Sequence, residues 1–280
     1  MKLRSYSRAS QLAVFALMFV IPILNLYEIY AITGTFYAIN IGSLGIADPV
    51  VILQTIFASR DFAKPLLLSA LFPVLLALML GRVWCGWMCP YHLLSDGASW
   101  IRRGFRRRVL RKPECERLLV PSSFTANMIR YGFLLVGCAA AGAIGIPVLN
   151  YVSAPGILST EAMILLREGW FSVEVAFILA ILIVELAVFP RFWCRLFCPS
   201  GAMIALFRLP FTMRVLTRIK SPRSACCKTK SCSNACPMGL DPFREGGNLL
   251  CTNCGRCIDA CRSGEGSAQL GFSGFGASNS

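Results

Sequence analysis

The sequence predicts an α-helical protein in which a membrane bundle of four spans, arranged as two parallel repeats, is followed by a small cysteine-rich domain. Three observations support this fold class. Hydrophobic residues make up 56% of the 280 positions and the mean hydropathy is +0.62, which is more apolar than soluble domains are. Eight of the 14 cysteines fall within residues 226–261. The pattern Trp-Cys-x3-Cys-Pro occurs twice, each time after a long apolar stretch.

Four apolar stretches predict the spans. A bilayer core about 30 Å thick requires about 20 apolar helical residues. The stretches that fit are 11–26, which continues loosely to 32, 65–83, 128–152 and 171–189. A cleaved signal peptide is the alternative for the first stretch. Its apolar run is long, however, and small residues are absent where cleavage would fall, so we predict a retained span.

The segments between the spans predict loops and surface helices. Residues 33–64 are mixed and broken by glycine, which indicates an outer loop with a re-entrant or surface helix. Residues 153–170 indicate a short outer loop. Residues 91–112 combine apolar positions at helical spacing with many arginines, which predicts an amphipathic helix at an anionic membrane surface. A solvated linker is the alternative there. A second basic amphipathic segment is expected at 202–216.

The basic residues predict the topology. The net charge of +14 would indicate nucleic-acid binding in a soluble protein. In a membrane protein, by contrast, the cytoplasmic loops carry an excess of Lys and Arg. Of the 28 basic residues, 25 lie on one side of the four predicted spans and 3 on the other. We therefore predict a bacterial inner-membrane protein with both termini and the cysteine-rich domain in the cytoplasm, and no nucleic-acid partner.

The C-terminal cysteine run has the spacing of a bacterial-type ferredoxin. Cys251, Cys254, Cys257 and Cys261 follow Cys-x2-Cys-x2-Cys-x3-Cys. In such a run three thiolates hold one [4Fe–4S] cluster, and the fourth cysteine ligates the other cluster of the pair. With Cys236, which precedes a proline, the first three complete one predicted ligand set. The alternatives are a disulfide knot or a zinc ribbon. A zinc ribbon usually needs two Cys-x2-Cys pairs about 15–20 residues apart, which this run lacks.

The ligand set of the second cluster is irregular in the sequence. Counting back from Cys236, the ferredoxin pattern requires cysteines at positions 232, 229 and 226, but position 229 is Thr229 and an extra cysteine stands at 227. One of the adjacent cysteines is expected to be idle. The candidate ligands are Cys226, Cys227, Cys232 and Cys261. The predicted domains are thus a membrane domain in 1–220, a 2[4Fe–4S] ferredoxin domain in 221–265 and a disordered tail in 266–280.

The two Trp-Cys-x3-Cys-Pro motifs define an internal repeat of span, loop, span and motif. Both halves run in the same direction, so a pseudo-twofold axis along the membrane normal is expected to relate them. This axis would bring four redox or metal-binding thiols together at the cytoplasmic rim: Cys85, Cys89, Cys194 and Cys198. The proline after Cys89 and Cys198 is expected to start a helix, whose positive end would lower the pKa of these thiols. The alternative is that the four thiols only pack.

With these motifs and the closing CTNCGRCIDAC run, the sequence resembles the NapH/MauN group over nearly its whole length. The resemblance implies a four-span, ferredoxin-type membrane protein. One branch of that group is encoded with periplasmic nitrate reductase and acts as a quinol dehydrogenase component. The other is encoded with methylamine utilisation genes. The resemblance therefore implies electron transfer from the quinone pool towards a periplasmic redox system, with a partner iron–sulfur or cytochrome subunit.

Quinol oxidation releases protons as well as electrons, so it requires an acid–base group near lipid. Ionisable residues inside spans are candidates by default, and these are Glu185 in the fourth span and Glu28 near the end of the first, with Glu174 near the outer surface. Each can instead be a paired or interfacial carboxylate. His92 follows the first motif as a proton relay, a ligand or a surface residue. Two other functions stay open: an assembly factor that supplies electrons or thiols to a periplasmic enzyme, and a redox sensor.

Overall fold

The described part of the chain is mostly helical. The computed structural model describes residues 3–28, 32–42, 44–62, 64–109, 121–218, 231–243, 245, 247–261 and 267–272. Its first half contains α1 (Leu3–Leu26), strands β1 (Ile32–Thr35), β2 (Ala38–Ile41) and β3 (Leu44–Ala47), α2 (Pro49–Ser59), α3 (Lys64–Leu80), a π-helical turn (Trp84–Met88) and α4 (Pro90–Val109). The three strands form an antiparallel sheet in the order β1-β2-β3.

The second half repeats this order without the sheet. It contains α5 (Ser123–Ile144), a 3₁₀ turn (Val148–Val152), α6 (Ala154–Glu168), α7 (Glu174–Ala187), α8 (Phe192–Leu196) and α9 (Pro199–Leu206). The C-terminal head follows, with β4 (Met213–Arg218), α10 (Ser231–Ala235), α11 (Arg256–Cys261) and β5 (Ser267–Phe272). Strands β4 and β5 pair antiparallel.

The short helix α2 begins inside the bundle. The turn between β1 and β2 places Phe36 and Tyr37 against Val14 and Met18, about halfway along α1. The Asp48 backbone N–H donates to the Tyr37 carbonyl at 3.0 Å. The Asp48 carboxylate then caps α2 by accepting from the Val50 N–H at 2.9 Å. Helix α2 therefore starts beside the middle of α1, and residues 33–64 contain a helix, as predicted.

The second half has a matching short helix. After α5 ends at Gly145, which takes a φ of 77°, the 3₁₀ turn returns along that helix. Leu149 packs so closely on Gly137 that an added Cβ there would overlap its side chain. Helix α6 starts at Ala154, directly after this turn. Residues 153–170 were predicted as a loop, and this prediction is wrong because the polar residues of α6 are satisfied inside the fold. Ser159 Oγ, for example, accepts from the Phe36 N–H at 2.8 Å.

Two of the described helices are long and apolar enough to cross a membrane, α1 and α5. Helix α3 has 17 residues and α7 has 14, so they fall short of that length. The four predicted spans correspond to α1, α3, α5 and α7 in position.

Two further predictions are corrected at the C-terminal end. The predicted amphipathic segment 202–216 is not one helix, because α9 ends at Leu206 and β4 follows. Part of the predicted disordered tail, residues 267–272, forms β5. Both strands are ordered because their paired residues Val215 and Leu270 pack against Cys257 and Ile258 of the head. Strand β4 thus extends the head upstream of residue 221.

Candidate iron–sulfur and thiol sites

The predicted complete ligand set comes together around one cavity in the head. Cys251, Cys254 and Cys257 line it from one loop, and Cys236 lines it from the other cysteine run. Apolar residues complete the wall, among them Met238, Leu240 and Val215. The cavity is therefore ringed by four thiols and shielded by hydrocarbon.

Two left-handed residues give the cysteine loop its shape. Asn253 has φ 51° and Gly255 has φ 73°, and the glycine fits because it takes this conformation without steric cost. The Asn253 side-chain Nδ2 donates to the Leu80 carbonyl at 3.2 Å and to the Met213 carbonyl at 2.8 Å. The loop is thus fixed to the end of α3 and to β4, which orients its thiols before any group binds.

The four thiols fit an iron–sulfur cluster. Burial and the neighbouring Cys254 raise the pKa of Cys236 to about 12, and burial raises the pKa of Cys251. Coordination to a metal centre deprotonates a thiol outright, so a bound cluster would hold these groups as thiolates in spite of the raised pKa. Among the described residues, no three His, Cys, Asp or Glu side chains close around one point tightly enough for a single metal ion. Four thiols spread around a cavity suit a cubane better than one zinc ion.

The predicted second ligand set is described only in part. Cys226 and Cys227 lie outside the described residues, and the side chain of Cys232 in α10 is not described. Cys261 ends α11, is 1% exposed and packs with Ile258. The second cluster therefore stays a prediction.

The structure also brings the four motif thiols together, below the ends of α3 and α7. The Cys85 and Cys198 thiols lie close enough to Cys89 for their charges to interact, and Cys194 interacts in the same way with Cys198 and, more weakly, with Cys89. Cys89 and Cys198 are buried, and the other two are partly buried. The four thiols therefore lie near one another at the ends of two equivalent helices.

The capping prediction is confirmed for Cys198, but the predicted pKa direction is wrong for both Cys89 and Cys198. Cys198 caps α9, with its Sγ accepting from the Gly201 N–H at 3.4 Å. At Cys89 it is the backbone carbonyl that accepts from the His92 N–H, at 3.1 Å. Burial nevertheless raises the pKa of Cys89 to about 12 and of Cys198 to about 11. Desolvation outweighs the favourable helix end at this depth.

Two buried arginines reach the motif thiols. Arg82 is 2% exposed and Arg130 is 0% exposed. The Arg82 Nη2 atom lies 3.9 Å from Cys85 Sγ, while its Nη1 donates to the Leu249 carbonyl at 2.9 Å. Arg130 donates to the Gly201 carbonyl. Sequence reasoning missed both, although Arg82 lies only two residues before the first motif.

Both motifs contact the cluster loops of the head. An added Cβ on Gly86 would lie 3.3 Å from Cys254 Cα and closer still to the Thr252 carbonyl oxygen. The Trp87 Nε1 donates to the Asn253 carbonyl at 3.1 Å. In the second motif, Arg195 donates to the Met238 carbonyl. The first motif thus packs directly against the loop that carries Cys251, Cys254 and Cys257.

Of the predicted acid–base residues, Glu185 lies beside the motif thiols. It is 2% exposed, and its Oε1 accepts from the Tyr91 hydroxyl at 2.9 Å. Ser95 donates to its other oxygen, and its charge interacts with Cys194. Glu28 is exposed beyond the far end of α1, a helix about 36 Å long. Glu174 likewise begins α7, at the opposite end from Glu185, so neither reaches the thiols.

His92 is buried, so its interpretation as a surface residue is wrong. It is 2% exposed, and its Nδ1 lies 2.9 Å from Gln11 Nε2. Its Nε2 has no hydrogen-bond partner among the described residues. Burial and the neighbouring Arg191 lower its pKa well below the usual value. The ring is therefore neutral at physiological pH, and its sequence neighbours gave no sign that α1 would cover it.

Asp96 and Asp259 attach the head to the membrane domain. Asp96 forms salt bridges with Arg191 of the second motif region and with Arg256 of α11. Burial opposes its ionisation, but Arg191 and Arg256 outweigh that effect and lower the Asp96 pKa. Asp259 accepts from the Leu3 and Arg4 N–H groups at 3.0 and 2.8 Å.

Comparison with known families defines the class of protein. A family model described as a 4Fe-4S binding domain matches residues 62–108 and again 171–218. Each match contains one Trp-Cys-x3-Cys-Pro motif, as an internal duplication predicts. A second model, described as a 4Fe-4S dicluster domain, matches residues 210–271. The chain is thus a ferredoxin-type iron–sulfur protein.

Individual relatives are more specific. The methylamine utilization ferredoxin-type protein MauN of Paracoccus denitrificans is 30% identical over 70% of this chain and 63% of its own length, so less than two thirds of that relative is covered. The ferredoxin-type protein NapH of Haemophilus influenzae is 27% identical over 91% of this chain and 85% of its own. These homologues confirm the resemblance to the NapH/MauN group. No solved structure matches.

Proposed function

We propose that this protein is a membrane-bound electron-transfer protein that takes electrons from the quinol pool towards a periplasmic redox system, such as one of nitrate reduction or methylamine utilisation. One observation carries the proposal. Gly86, which lies between Cys85 and Cys89 of the first motif, packs against the backbone of Thr252 and Cys254 in the cluster loop. Two adjacent centres held by thiols are the arrangement that electron transfer requires.

Four residues would hold the complete cluster: Cys236, Cys251, Cys254 and Cys257. When bound, a [4Fe–4S] cluster supplies one-electron transfer. The chain itself fixes the loop through Asn253 and excludes water with the apolar wall of Met238 and Leu240. Cys226, Cys227, Cys232 and Cys261 are the proposed ligands of a second cluster, which the match to a dicluster domain supports.

The charge around the motif thiols supports a metal centre there too. Among the described residues, no carboxylate forms a salt bridge with Arg82 or Arg130. A buried cation without a counter-ion is costly, and the thiols of Cys85 and Cys198 are the neighbouring groups able to carry negative charge. Thiolate ligands of a bound metal centre would supply that charge. The match of both motif regions to a 4Fe-4S binding domain favours an iron–sulfur centre.

The surface supports four spans through a bilayer. The most exposed aromatic residues of the described part lie at two levels, as aromatic residues do at the two interfaces of a membrane. The outer level, at the far ends of α1 and α3 and between α6 and α7, contains Tyr27, Phe62, Trp170 and Phe171, which are 63–76% exposed. The inner level, on α4 and at the start of α5, contains Trp100, Phe105 and Phe124, which are 64–75% exposed. With the basic residues concentrated on the inner side, both termini would be cytoplasmic.

Reduction of the purified protein by a quinol tests the function. The protein in lipid nanodiscs is mixed anaerobically with menadiol, and the EPR signal of reduced [4Fe–4S] clusters is followed. We expect the signal to grow in the wild type, and the part of it due to the complete cluster to be lost in Cys254→Ala. Cys138→Ala is the matched control, because Cys138 lies on α5 away from both sites, and it should behave as the wild type does.

Two outcomes would contradict the proposal. If fully loaded wild-type protein stays oxidised with menadiol but is reduced by dithionite, quinol is not its donor. If the motif thiols instead reduce the disulfide of an added acceptor protein and become a disulfide themselves, without any change in the EPR signal, the assembly-factor alternative is correct. The burial of Cys89 and Cys198 argues against such exchange.

A further inference from the structure

A cavity of about 320 Å³ lies between the two short helices α2 and α6. That volume falls at the lower end of the range of about 300–1,000 Å³ for small-molecule sites. Its wall includes Tyr37, Asp48, Asn150, Ser153, Gly156 and Ser200. Along α6 it extends from Ser153 to Thr160, a rise of about 10 Å. This length accommodates one substituted aromatic ring.

The inner end of the cavity is polar, apolar residues line part of its wall, and a second carboxylate, Glu174, also lines it. Asp48 lies at this end with one carboxylate oxygen held by the Val50 N–H. Its Oδ2 accepts from the Ser200 hydroxyl at 2.6 Å. Val51, Pro147 and Ile157 form apolar parts of the wall. A ligand that fits has a flat apolar body and a hydroxyl that donates to a carboxylate.

The polar end adjoins the motif thiols. Ser200 lies two residues after Cys198 in the chain, at the start of α9. Tyr37 is 8% exposed and lines the cavity, and its hydroxyl lies close enough to Cys89 and Cys198 for their charges to interact. Only one layer of side chains therefore separates a ligand in the cavity from the thiol site.

We propose that this cavity binds the head group of a hydroquinone, with Asp48 accepting a hydrogen bond from one ring hydroxyl. The proposal rests on the proposed function and locates the binding site of its electron donor. A hydroquinone matches the cavity in three respects. Its ring is flat and apolar, and its hydroxyl groups can donate hydrogen bonds at both ends. It also gives up its electrons only to a nearby redox centre, and the motif thiols adjoin the polar end of the cavity. The proposed site differs from Glu185, which is enclosed by Tyr91 and Ser95 and does not line the cavity.

Binding of menadione and menadiol to the intact protein in nanodiscs tests the site. Asp48→Asn removes the carboxylate but keeps a good helix cap, so α2 should stay folded. Loss of a hydrogen bond to a charged group should weaken menadiol binding by about tenfold or more. Gly156→Phe should abolish binding of both compounds by filling the cavity. Gly132→Phe is the control, because a Cβ there would meet nothing within 4 Å.

Iron content and the dithionite-reduced EPR signal report folding separately. If Asp48→Asn and Gly156→Phe contain normal iron and bind menadiol as the wild type does, the cavity is not the site, although the proposed function stands. If the wild type itself neither binds menadiol nor is reduced by it, the proposed function fails as well. If Gly132→Phe loses binding to the same extent as Gly156→Phe, the effect is not local and the proposal is refuted.

Discussion

Replacing Gly86 with alanine tests whether the first motif seats the cluster loop. The added Cβ would lie 3.3 Å from Cys254 Cα and well under 3.0 Å from the Thr252 carbonyl oxygen, which is closer than real Cβ contacts. The obstacle is backbone, so it cannot rotate away, and the loop has to retreat by roughly half an ångström, at a cost of about 1–3 kcal/mol for overpacking. We expect a melting temperature several degrees lower and an altered EPR line shape for the reduced cluster.

Gly97→Ala is the control for this change. Gly97 lies in α4, where a Cβ would meet nothing within 4 Å. Alanine there has a higher helix propensity by about 1 kcal/mol, so the melting temperature should stay equal or rise and the EPR spectrum should not change. Differential scanning fluorimetry and EPR on the reduced proteins give both readouts. If the Gly86 variant matches the Gly97 variant in both, the motif does not seat the loop.

Further changes test the topology, the cluster, the thiol site and the docking of the head. A reporter active only in the periplasm should be silent after the last ferredoxin cysteine and active near Ser59, and the reverse pattern would overturn the topology. Cys257→Ala should remove about four irons per protein, because a cubane needs all its corners held; unchanged iron by chemical assay would contradict the ligand set. Single and quadruple serine variants of the motif cysteines should impair menadiol-dependent reduction equally, since residues acting as a unit are non-additive, and additive losses would mean two separate sites. The pKa of Asp96 is lowered in the folded protein, so its contribution to stability is present above its unfolded value of about 4 and is lost as the pH falls below it. Asp96→Asn should remove this acid-sensitive part and cost about 3–5 kcal/mol by leaving Arg191 unpaired, and pH-dependent melting identical to the wild type would contradict this.

The sequence predicted what depends on short-range spacing. The loop from Cys251 to Cys257 has its shape because two residues in it take left-handed conformations, and the glycine at one of them was visible in the sequence. The two motifs were visible as a repeat, and a repeat in parallel orientation predicts that the four thiols meet. Such features are local or follow from symmetry, so a single sequence contains them.

Contacts between distant segments were not predictable in the same way. Asp48 and Ser200 are 152 residues apart, and no periodicity links them. Helix α6 was missed because polar residues such as Ser159 and Glu161 indicate a loop when their partners are unknown. In the fold, Glu161 accepts from the Ser172 N–H at 3.1 Å and from its hydroxyl. His92 was interpreted as exposed for the same reason, because its cover, Gln11, comes from another helix.

The duplication is symmetric in its thiols and asymmetric in its polar groups, and this difference bears on function. Both halves supply a Cys-x3-Cys-Pro motif, and both supply a short helix that begins inside the bundle. The first short helix is capped by the Asp48 carboxylate, whereas Ser153 at the start of the second makes no capping hydrogen bond. Glu185 in the second half is buried near Cys194, and the equivalent helix of the first half, α3, has no acidic residue. A centre that exchanges only electrons can be symmetric. A hydroquinone releases protons as well as electrons, so its oxidation requires a proton acceptor close to it. The two carboxylates, Asp48 in the first half and Glu185 in the second, lie at different places around the shared group of thiols, so the two halves are not equivalent for proton transfer.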